Sequence, residues 1–287
     1  MGKQTHIQDS YFGGDWTKEK LTIINDYLAF YVKALKNLNV KLVYIDAFAG
    51  SGKTILPSGE EIDGSAILAL KYDFDEFWFL ECDKGRATSL RTEIAKRYPS
   101  KLDKIRIIIG DCNLELQKVF SSLNFYKRGV MFLDPYAMEL NWSVLEEAKK
   151  TQVLDIWYLF PLLALTRNMF KSLSMPEATK AKITSILGTT DWENELYHEK
   201  AQISFFDDEV KERVNFDSLV KFIRKRLESN FPYVSPKSKM FRNTNNGPMF
   251  ILFFIMTNKS KKAIGLGSKV VSEIFNKMEK LTKEVKE

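Results

Sequence analysis

The chain has 287 residues, of which 45% are hydrophobic and 28% are charged, with a formal net charge of +6 and a pI near 9.0. This is the composition of a globular protein long enough for one large domain, and no apolar run approaches the about 18 residues of a membrane span. The excess of Lys and Arg over Asp and Glu suits a polyanionic partner such as DNA or RNA, and a membrane protein is not expected.

The first residues, MGKQTHIQDS, lack the apolar core of a signal peptide, so we expect a cytoplasmic protein. The histidines are His6 and His198, and the cysteines are Cys82 and Cys112. A structural zinc site takes four such ligands, and a serine or cysteine nucleophile usually has a histidine base. We therefore expect no metal site and a chemistry that uses acids, aromatics, backbone groups and a cofactor.

A helix, a strand and a glycine turn open the chain. Apolar residues recur every three or four positions over residues 17–38, which predicts a helix packed on the core. Residues 42–45 then predict a buried strand that ends on Asp46. Gly50 and Gly52 follow in a turn where a ligand can lie against the backbone. An open α/β sheet holds a nucleotide-like cofactor with such a strand and turn at its carboxyl edge.

The next hundred residues alternate between strand and helix patterns. The predicted strands cover residues 76–80, 105–109, 129–133 and 153–160, and the predicted helices cover 66–71, 85–98, 114–123 and 143–150. This alternation predicts βαβ units and a parallel sheet. Four successive strands end on acids, which are Asp46, Glu81, Asp111 and Asp134. Acids that follow parallel strands meet at one edge of the sheet, so we expect a ligand cleft there.

The later part of the chain predicts a helical insertion and a closing hairpin. Residues 161–235 are mixed in charge and predicted to be helical, whereas residues 239–243 and 249–256 predict strands around an Asn-Gly turn, with a last helix from residue 261. The predicted organisation is an N-terminal helix and cofactor-binding half (1–160), the insertion (161–235), and the closing hairpin with the C-terminal helix of the same domain (236–287).

Some insertion residues are candidate contacts for extruded bases and phosphates. These are Phe205, Phe206, Phe231, Tyr233 and the basic run 221–226. Core aromatics and a solvated helix face are the more common explanation of such residues.

One interpretation of the glycine turn is a phosphate-binding P-loop. Residues 47–54, AFAGSGKT, fit a relaxed form of that motif, in which Lys53 would meet a phosphate. The motif requires a helix that starts at residues 52–54 and points its amides at the phosphates. Pro57 and Gly59 disfavour such a helix. A nucleotide hydrolase is therefore the less favoured alternative.

The other interpretation is a site for S-adenosylmethionine. Glu81 lies 31 residues after Gly50, which suits one strand–helix–strand excursion and places a carboxylate to accept from the ribose hydroxyls. Asp111 would accept from the adenine amino group, with Cys112 beside it. Phe48 is a candidate for contact with the methionine portion, and Lys18 for contact with the cofactor carboxylate.

Two sequence motifs carry a family resemblance. DAFAGSG (46–52) resembles the first motif of class I methyltransferases, and FLDPYA (132–137) resembles their fourth motif. In order, WTKEKL, YIDAFAGSG, FLECD, IIIGD, FLDPYA and MFILFFIMTNKS are similar to the three-Cys-motif partner proteins over about residues 15–265. This resemblance implies an α/β fold with a Rossmann-like class I methyltransferase sheet, mostly parallel with a closing antiparallel hairpin. It also implies S-adenosyl-L-methionine as cofactor and a protein partner of the three-cysteine type.

The fourth motif implies a catalytic role for three residues. Asp134 and the Pro135 carbonyl would accept hydrogen bonds from a target amine, while Tyr136 stacks on the extruded base. The usual second proline is missing, so Tyr136 stands one position earlier than in the common form. We predict methyl transfer to an exocyclic base amine in nucleic acid. The alternative, from another functional class, is a cofactor-binding component that depends on a partner protein and has little activity alone.

Overall fold

The computed structural model describes residues 15–169, 175–199 and 211–284. Its first half contains, in order, α1 (Asp15–Leu35), β1 (Lys41–Asp46), β2 (Lys53–Ile55), β3 (Glu61–Asp63), α2 (Ser65–Ala69), β4 (Glu76–Glu81), α3 (Lys84–Arg97), a 3-10 helix (Pro99–Lys104), β5 (Ile105–Ile109), α4 (Cys112–Ser122), β6 (Lys127–Leu133), α5 (Trp142–Thr151) and β7 (Leu154–Phe160). The second half contains α6 (Leu162–Asn168), α7 (Glu177–Leu187), α8 (Trp192–Glu195), β8 (Tyr197–Glu199), β9 (Lys211–Arg213), α9 (Phe216–Asn230), β10 (Tyr233–Val234), β11 (Lys239–Arg242), β12 (Pro248–Met256) and α10 (Lys261–Glu284).

The main sheet has the strand order β5-β4-β1-β6-β7-β12, and β10 and β11 both pair with the outer side of β12. The first five of these strands are parallel, whereas β12 runs antiparallel to β7. The chain leaves β1 first towards β4 and later returns to its other side with β6. Ligands of open α/β sheets bind outside the carboxyl ends of the strands at such a reversal. The order and the closing antiparallel strands define a Rossmann-like sheet of the class I methyltransferase type, as predicted.

Helices cover both faces of this sheet because its strands are apolar on both faces. In β1, Leu42 and Tyr44 pack into one core cluster with α1, α2, α3 and α10. Val43 and Ile45, which alternate with them, pack into the other cluster with α4, α5, α7 and α9. Continuous apolar runs of this kind are typical of parallel strands buried between two helical layers. Among the described helices, none combines the length and apolar character needed to cross a membrane.

The described residues of the segment 161–235 form four helices and also the short antiparallel pair β8–β9, which the helical prediction missed. The segment packs closely on α5. Gly188 ends α7 with φ +67, and a Cβ there would lie 2.1 Å from the Trp142 ring. The Arg226 guanidinium lies 5.0 Å from the centroid of the same ring. Phe205 and Phe206 lie outside the described residues.

Residues 53–63 contain two short strands that were not predicted from the sequence. They form the hairpin β2–β3, in which Lys53 is paired with Asp63 and Ile55 with Glu61. Each strand has only three residues, and neither contains an apolar run, so the sequence carries little strand signal. The predicted Asn-Gly hairpin is confirmed between β11 and β12, where Asn246 has φ +59.

Candidate functional site

The glycine turn after β1 is held between the two neighbouring strands. The Ala47 N–H donates to the Phe132 carbonyl at 3.1 Å, and the Ala49 N–H donates to the Leu80 carbonyl at 2.9 Å. The turn continues into strand β2 and not into a helix. The amide cradle of a P-loop therefore does not form at residues 52–54. The Lys53 ammonium group pairs with Glu61 at 2.8 Å and with Glu93 at 3.5 Å.

The two glycines of the turn have different surroundings. Gly50 and Gly52 both have positive φ, +62 and +85, which favours glycine. A Cβ on Gly52 would lie 2.8 Å from Leu90 Cδ1, whereas a Cβ on Gly50 would meet nothing within 4 Å. The turn is thus packed against α3 at Gly52 and open at Gly50. The open space at Gly50 is where a ligand can approach the backbone.

Glu81, at the end of β4, is buried and bound to this turn. Its Oε2 accepts from the Gly50 N–H at 2.9 Å, and its Oε1 accepts from the Asp83 N–H at 2.9 Å. The Arg86 guanidinium pairs with Oε1 at 2.8 Å. The Cys82 thiol lies 3.6 Å from the same Oε1. Among the described residues, Oε2 accepts from the Gly50 N–H alone, and a carboxylate oxygen has about two acceptor sites, so Oε2 has capacity for a further donor such as a ribose hydroxyl.

Asp46 is the most deeply buried of the four acids. It accepts hydrogen bonds from the Phe48 N–H at 3.2 Å and from the Ser65 hydroxyl, and the Tyr44 hydroxyl lies 3.4 Å away. Burial raises the pKa of Asp46 to about 7, and the nearby Asp134 charge adds to this, although the hydrogen bonds from Ser65 and Phe48 and the charge of Lys20 act in the opposite direction. Asp46 is therefore able to carry a proton near neutral pH, unlike an ordinary surface aspartate. Phe48 is partly exposed at the start of the turn.

Asp111 follows β5 at the same edge and is the N-cap of α4. Its side chain accepts from the Asn113 N–H at 2.9 Å and from Asn113 Nδ2 at 2.8 Å. Asn113 also joins the loop that follows Asp134, because its Nδ2 donates to the Glu139 carbonyl and its Oδ1 accepts from the Asn141 N–H. Cys112 is buried, which raises the pKa of its thiol to about 12. These residues lie at the carboxyl edge of the sheet, and their contact with adenine stays a prediction.

Asp134, at the end of β6, pairs with a residue that sequence analysis missed. The Lys20 ammonium group of α1 contacts Asp134 Oδ2, with the two side chains 7% and 24% exposed. Lys20 also lies 5.0 Å from the Trp16 ring centroid. The candidate named from the sequence, Lys18, instead pairs with Glu60 at 2.6 Å on the exposed surface. A signal for Lys20 was present, because it falls within the apolar stripe of α1, where a lysine is unusual.

Thr17 is a second residue of α1 that the sequence analysis did not select for the site. It lies one helical turn before Lys20 and is only 3% exposed, and its hydroxyl oxygen has no hydrogen-bond partner among the described residues. Buried hydroxyl groups usually have a partner. Thr17 is therefore a candidate to bind a polar group that enters beside α1.

The two residues after Asp134 differ in exposure. Pro135 is buried, whereas Tyr136 is 59% exposed, and its N–H donates to Glu139 Oε2 at 3.3 Å. The Tyr136 ring, two residues after Asp134, is therefore accessible to a ligand from outside the fold. The Tyr136 ring thus meets the first requirement of a stacking residue.

The basic run 221–226 is explained largely by structural contacts. The Arg224 guanidinium donates to the Ser235 carbonyl at 2.7 Å, and that of Arg226 donates to the Gly188 carbonyl at 2.9 Å. Lys225 pairs with Glu195 at 3.0 Å. Phe231 is buried in the core. These partners favour the structural explanation of the run over phosphate binding.

No protein-family model matches the sequence, and no curated protein matches it. Among solved structures, the chain is similar to protein LPL1258 from Legionella pneumophila, of the family designated DUF519, with a TM-score of 0.55, 14% identity, and coverage of 94% of this chain and 92% of that one. This likeness shows a shared fold. An O-methyltransferase from Bacillus cereus in complex with SAH has a TM-score of 0.42 at 13% identity, with coverage of 86% of this chain and 94% of that one.

Proposed function

We propose that this protein is an S-adenosylmethionine-dependent methyltransferase that acts on an exocyclic base amine in nucleic acid. One observation carries the proposal. Three buried or partly buried acids, Asp46, Glu81 and Asp134, lie at the carboxyl ends of adjacent strands around a glycine turn that is open at Gly50. This is the edge at which open α/β sheets bind nucleotide-like cofactors.

The residues of the cleft fit the parts of this cofactor. The remaining acceptor capacity of Glu81 suits the ribose hydroxyls. Asp111 and Cys112, which follow β5 at the same edge, would contact the adenine ring. Asp46 and Phe48 flank the open turn on the methionine side. The unpartnered Thr17 hydroxyl is a donor for the cofactor carboxylate, as is Lys18 if it leaves Glu60. The cofactor would supply an activated methyl group. The protein would therefore accelerate the transfer mainly by positioning the target amine.

Asp134 is the residue that would position the amine. The Lys20 ammonium group pairs with the Asp134 carboxylate, whose oxygens accept hydrogen bonds from N–H groups. The Pro135 carbonyl would accept a second one, and the exposed Tyr136 ring would stack on the base. Stacking and two hydrogen bonds hold an extruded base in one orientation, which is the usual arrangement in enzymes that modify bases.

The alternative, a partner-dependent component of the three-cysteine type, also has a specific observation in its favour. The Asp134 carboxylate is already engaged by Lys20, and Tyr136 stands one position earlier than in the common fourth motif. A partner that moved α1 would release Asp134 for substrate. The isolated chain would then bind the cofactor but transfer little.

The test combines calorimetry with transfer of a labelled methyl group. Purified protein is titrated with S-adenosylmethionine, then incubated with the labelled cofactor and with RNA, double-stranded DNA or single-stranded DNA. We expect cofactor binding, incorporation into one nucleic acid, and loss of incorporation in Asp134→Asn with cofactor affinity retained. If the protein binds the cofactor but methylates none of the three nucleic acids, methyl transfer by the isolated chain is refuted and the partner-dependent alternative is favoured. Absence of cofactor binding would refute both.

A further inference from the structure

The amino ends of the parallel strands carry a pocket, on the edge opposite the acids. It has a volume of about 480 Å³, which is in the range of small-molecule sites. Its lining residues come from β1, β4, β5 and β6, the loop before β4, the 3-10 helix and the end of α4: Lys41, Asp75, Glu76, Trp78, Asp103, Lys104, Arg106, Ser122 and Lys127. None of these residues belongs to the site described above.

The charges of this pocket leave cations available to a ligand. Glu76 is occupied by Lys127 at 2.8 Å, and Asp75 accepts from the Leu42 N–H at 2.7 Å. By contrast, no salt bridge involves Lys41, Lys104 or Arg106 within residues 15–169, 175–199 and 211–284. The Arg106 guanidinium lies 5.4 Å from the Trp78 ring centroid, so a planar cation and an aromatic ring stand together at the pocket. Three cations without a salt bridge in the described part of the chain, together with an aromatic ring, suit phosphate and base groups.

Two exposed aromatic residues lie beside the pocket. Phe125 and Tyr126 are 70% and 60% exposed, and their ring centroids are 4.0 Å apart. The Tyr126 carbonyl accepts from the Lys41 N–H at 2.8 Å, which joins the pair directly to the pocket lining. Large adjacent aromatic rings in water are uncommon on proteins without binding partners and indicate an interaction surface.

We propose that this amino-edge surface, formed by Lys41, Trp78, Lys104, Arg106, Phe125 and Tyr126, binds a single-stranded segment of nucleic acid. The cations would contact phosphates, and the aromatic pair would stack on bases. The inference rests on the proposed substrate class and extends it. Strand β6 runs from this edge to Asp134, so the two sites are separated by about 25 Å of extended chain. The substrate would therefore be a strand of many nucleotides that contacts both edges of the sheet.

Equilibrium binding of fluorescent single strands of about 20 and about 4 nucleotides, without cofactor, tests the surface. We expect the double variant Phe125→Ala/Tyr126→Ala to bind the long strand about tenfold more weakly, with a much smaller loss of affinity for the short strand. The double variant Lys104→Gln/Arg106→Gln should also lower the affinity for the long strand. It should reduce the slope of log affinity against log salt concentration by about one unit. Asp103→Asn, which removes a repelling carboxylate, should tighten binding. Lys150→Gln is the matched control, since Lys150 is an exposed lysine of α5 paired with Glu147.

The outcomes separate this inference from the proposed function. The proposed binding at the amino-edge surface is overturned if both double variants keep the full affinity for the long strand. It is also overturned if the unaltered protein does not bind the strand. Photocrosslinking of an iodouracil-substituted strand to peptides that contain Phe125 or Trp78 supports it. Because the altered side chains are exposed or, for Lys104, partly exposed, circular dichroism should show folded variants. Absence of methyl transfer by the unaltered protein, while it still binds the long strand, counts against the proposed function and leaves this surface in place.

Discussion

Lys20 and Asp134 form an ion pair across 114 positions of sequence and join the first helix to the end of β6. Both side chains are largely removed from water. The pair therefore differs from the exposed contact between Lys18 and Glu60 only two residues earlier in α1. Removal of one partner of a buried pair leaves an uncompensated charge, whereas removal of an exposed lysine costs little.

We therefore expect Lys20→Met to lower the free energy of unfolding by about 2 kcal/mol, and Lys18→Met to leave it nearly unchanged. Lys20→Met should also reduce methyl incorporation at least tenfold, because Asp134 loses the cation that holds it in place. Urea unfolding and the labelled-methyl assay provide the two measurements. The double variant Lys20→Met/Asp134→Asn should recover part of the stability but none of the activity. Equal losses of stability and of methyl incorporation in Lys20→Met and Lys18→Met would show that the buried pair of Lys20 contributes no more than the exposed pair of Lys18.

The role of Glu81 is tested against another glutamate of the same strand. Glu81→Gln removes the negative charge at the carboxyl end of β4 and should weaken S-adenosylmethionine binding by about tenfold or more. Glu76→Gln alters the amino end of β4, where Glu76 pairs with Lys127, and should leave cofactor affinity unchanged. Isothermal titration calorimetry at one temperature compares them. A similar loss in both variants would indicate a general effect on the sheet.

The two glycines of the turn should respond differently to alanine. Gly50→Ala places a methyl group into open space at positive φ, so it should cost about 1 kcal/mol of stability and should weaken cofactor binding. Gly52→Ala adds a contact of 2.8 Å with Leu90 to the same backbone strain and should cost more stability. Thermal unfolding with and without cofactor measures both effects. Cofactor affinity retained in Gly50→Ala would show that the open space is not the ligand site.

The absence of a phosphate cradle leads to a prediction for nucleotides. Lys53 lies in a strand and pairs with Glu61 and Glu93, so Lys53→Ala should leave S-adenosylmethionine affinity unchanged. ATP with magnesium should produce no binding heat that depends on Lys53. Magnesium-dependent ATP binding that is abolished by Lys53→Ala would support the nucleotide hydrolase instead.

The sequence predicted the strands well because their apolar runs are strong local signals. β4 and β5 were located to within one residue, and the acids that follow β1, β4, β5 and β6 could be placed at one edge from chain order alone. The hairpin β2–β3 was missed because strands of three polar-rich residues have no periodicity. The Lys20–Asp134 pair was missed for a different reason. It depends on how α1 packs across the sheet, and the sequence of a helix does not specify which distant carboxylate it will meet.

A last prediction concerns Asp155, a buried acid of β7 outside the proposed site. The Tyr27 hydroxyl donates to its Oδ2 at 2.6 Å, yet burial raises the pKa of Asp155 to about 7. The folded protein then binds a proton that the unfolded chain releases near pH 4, so the contribution of Asp155 to stability falls as the pH rises from about 4 to about 7. Asp155→Asn keeps an acceptor for Tyr27 without the charge. Its stability relative to the unaltered protein should increase through this window, by at most about 4 kcal/mol, and level off above it. Urea unfolding at pH 5 and pH 8 measures the difference, and an equal effect of the substitution at both values would contradict the raised pKa.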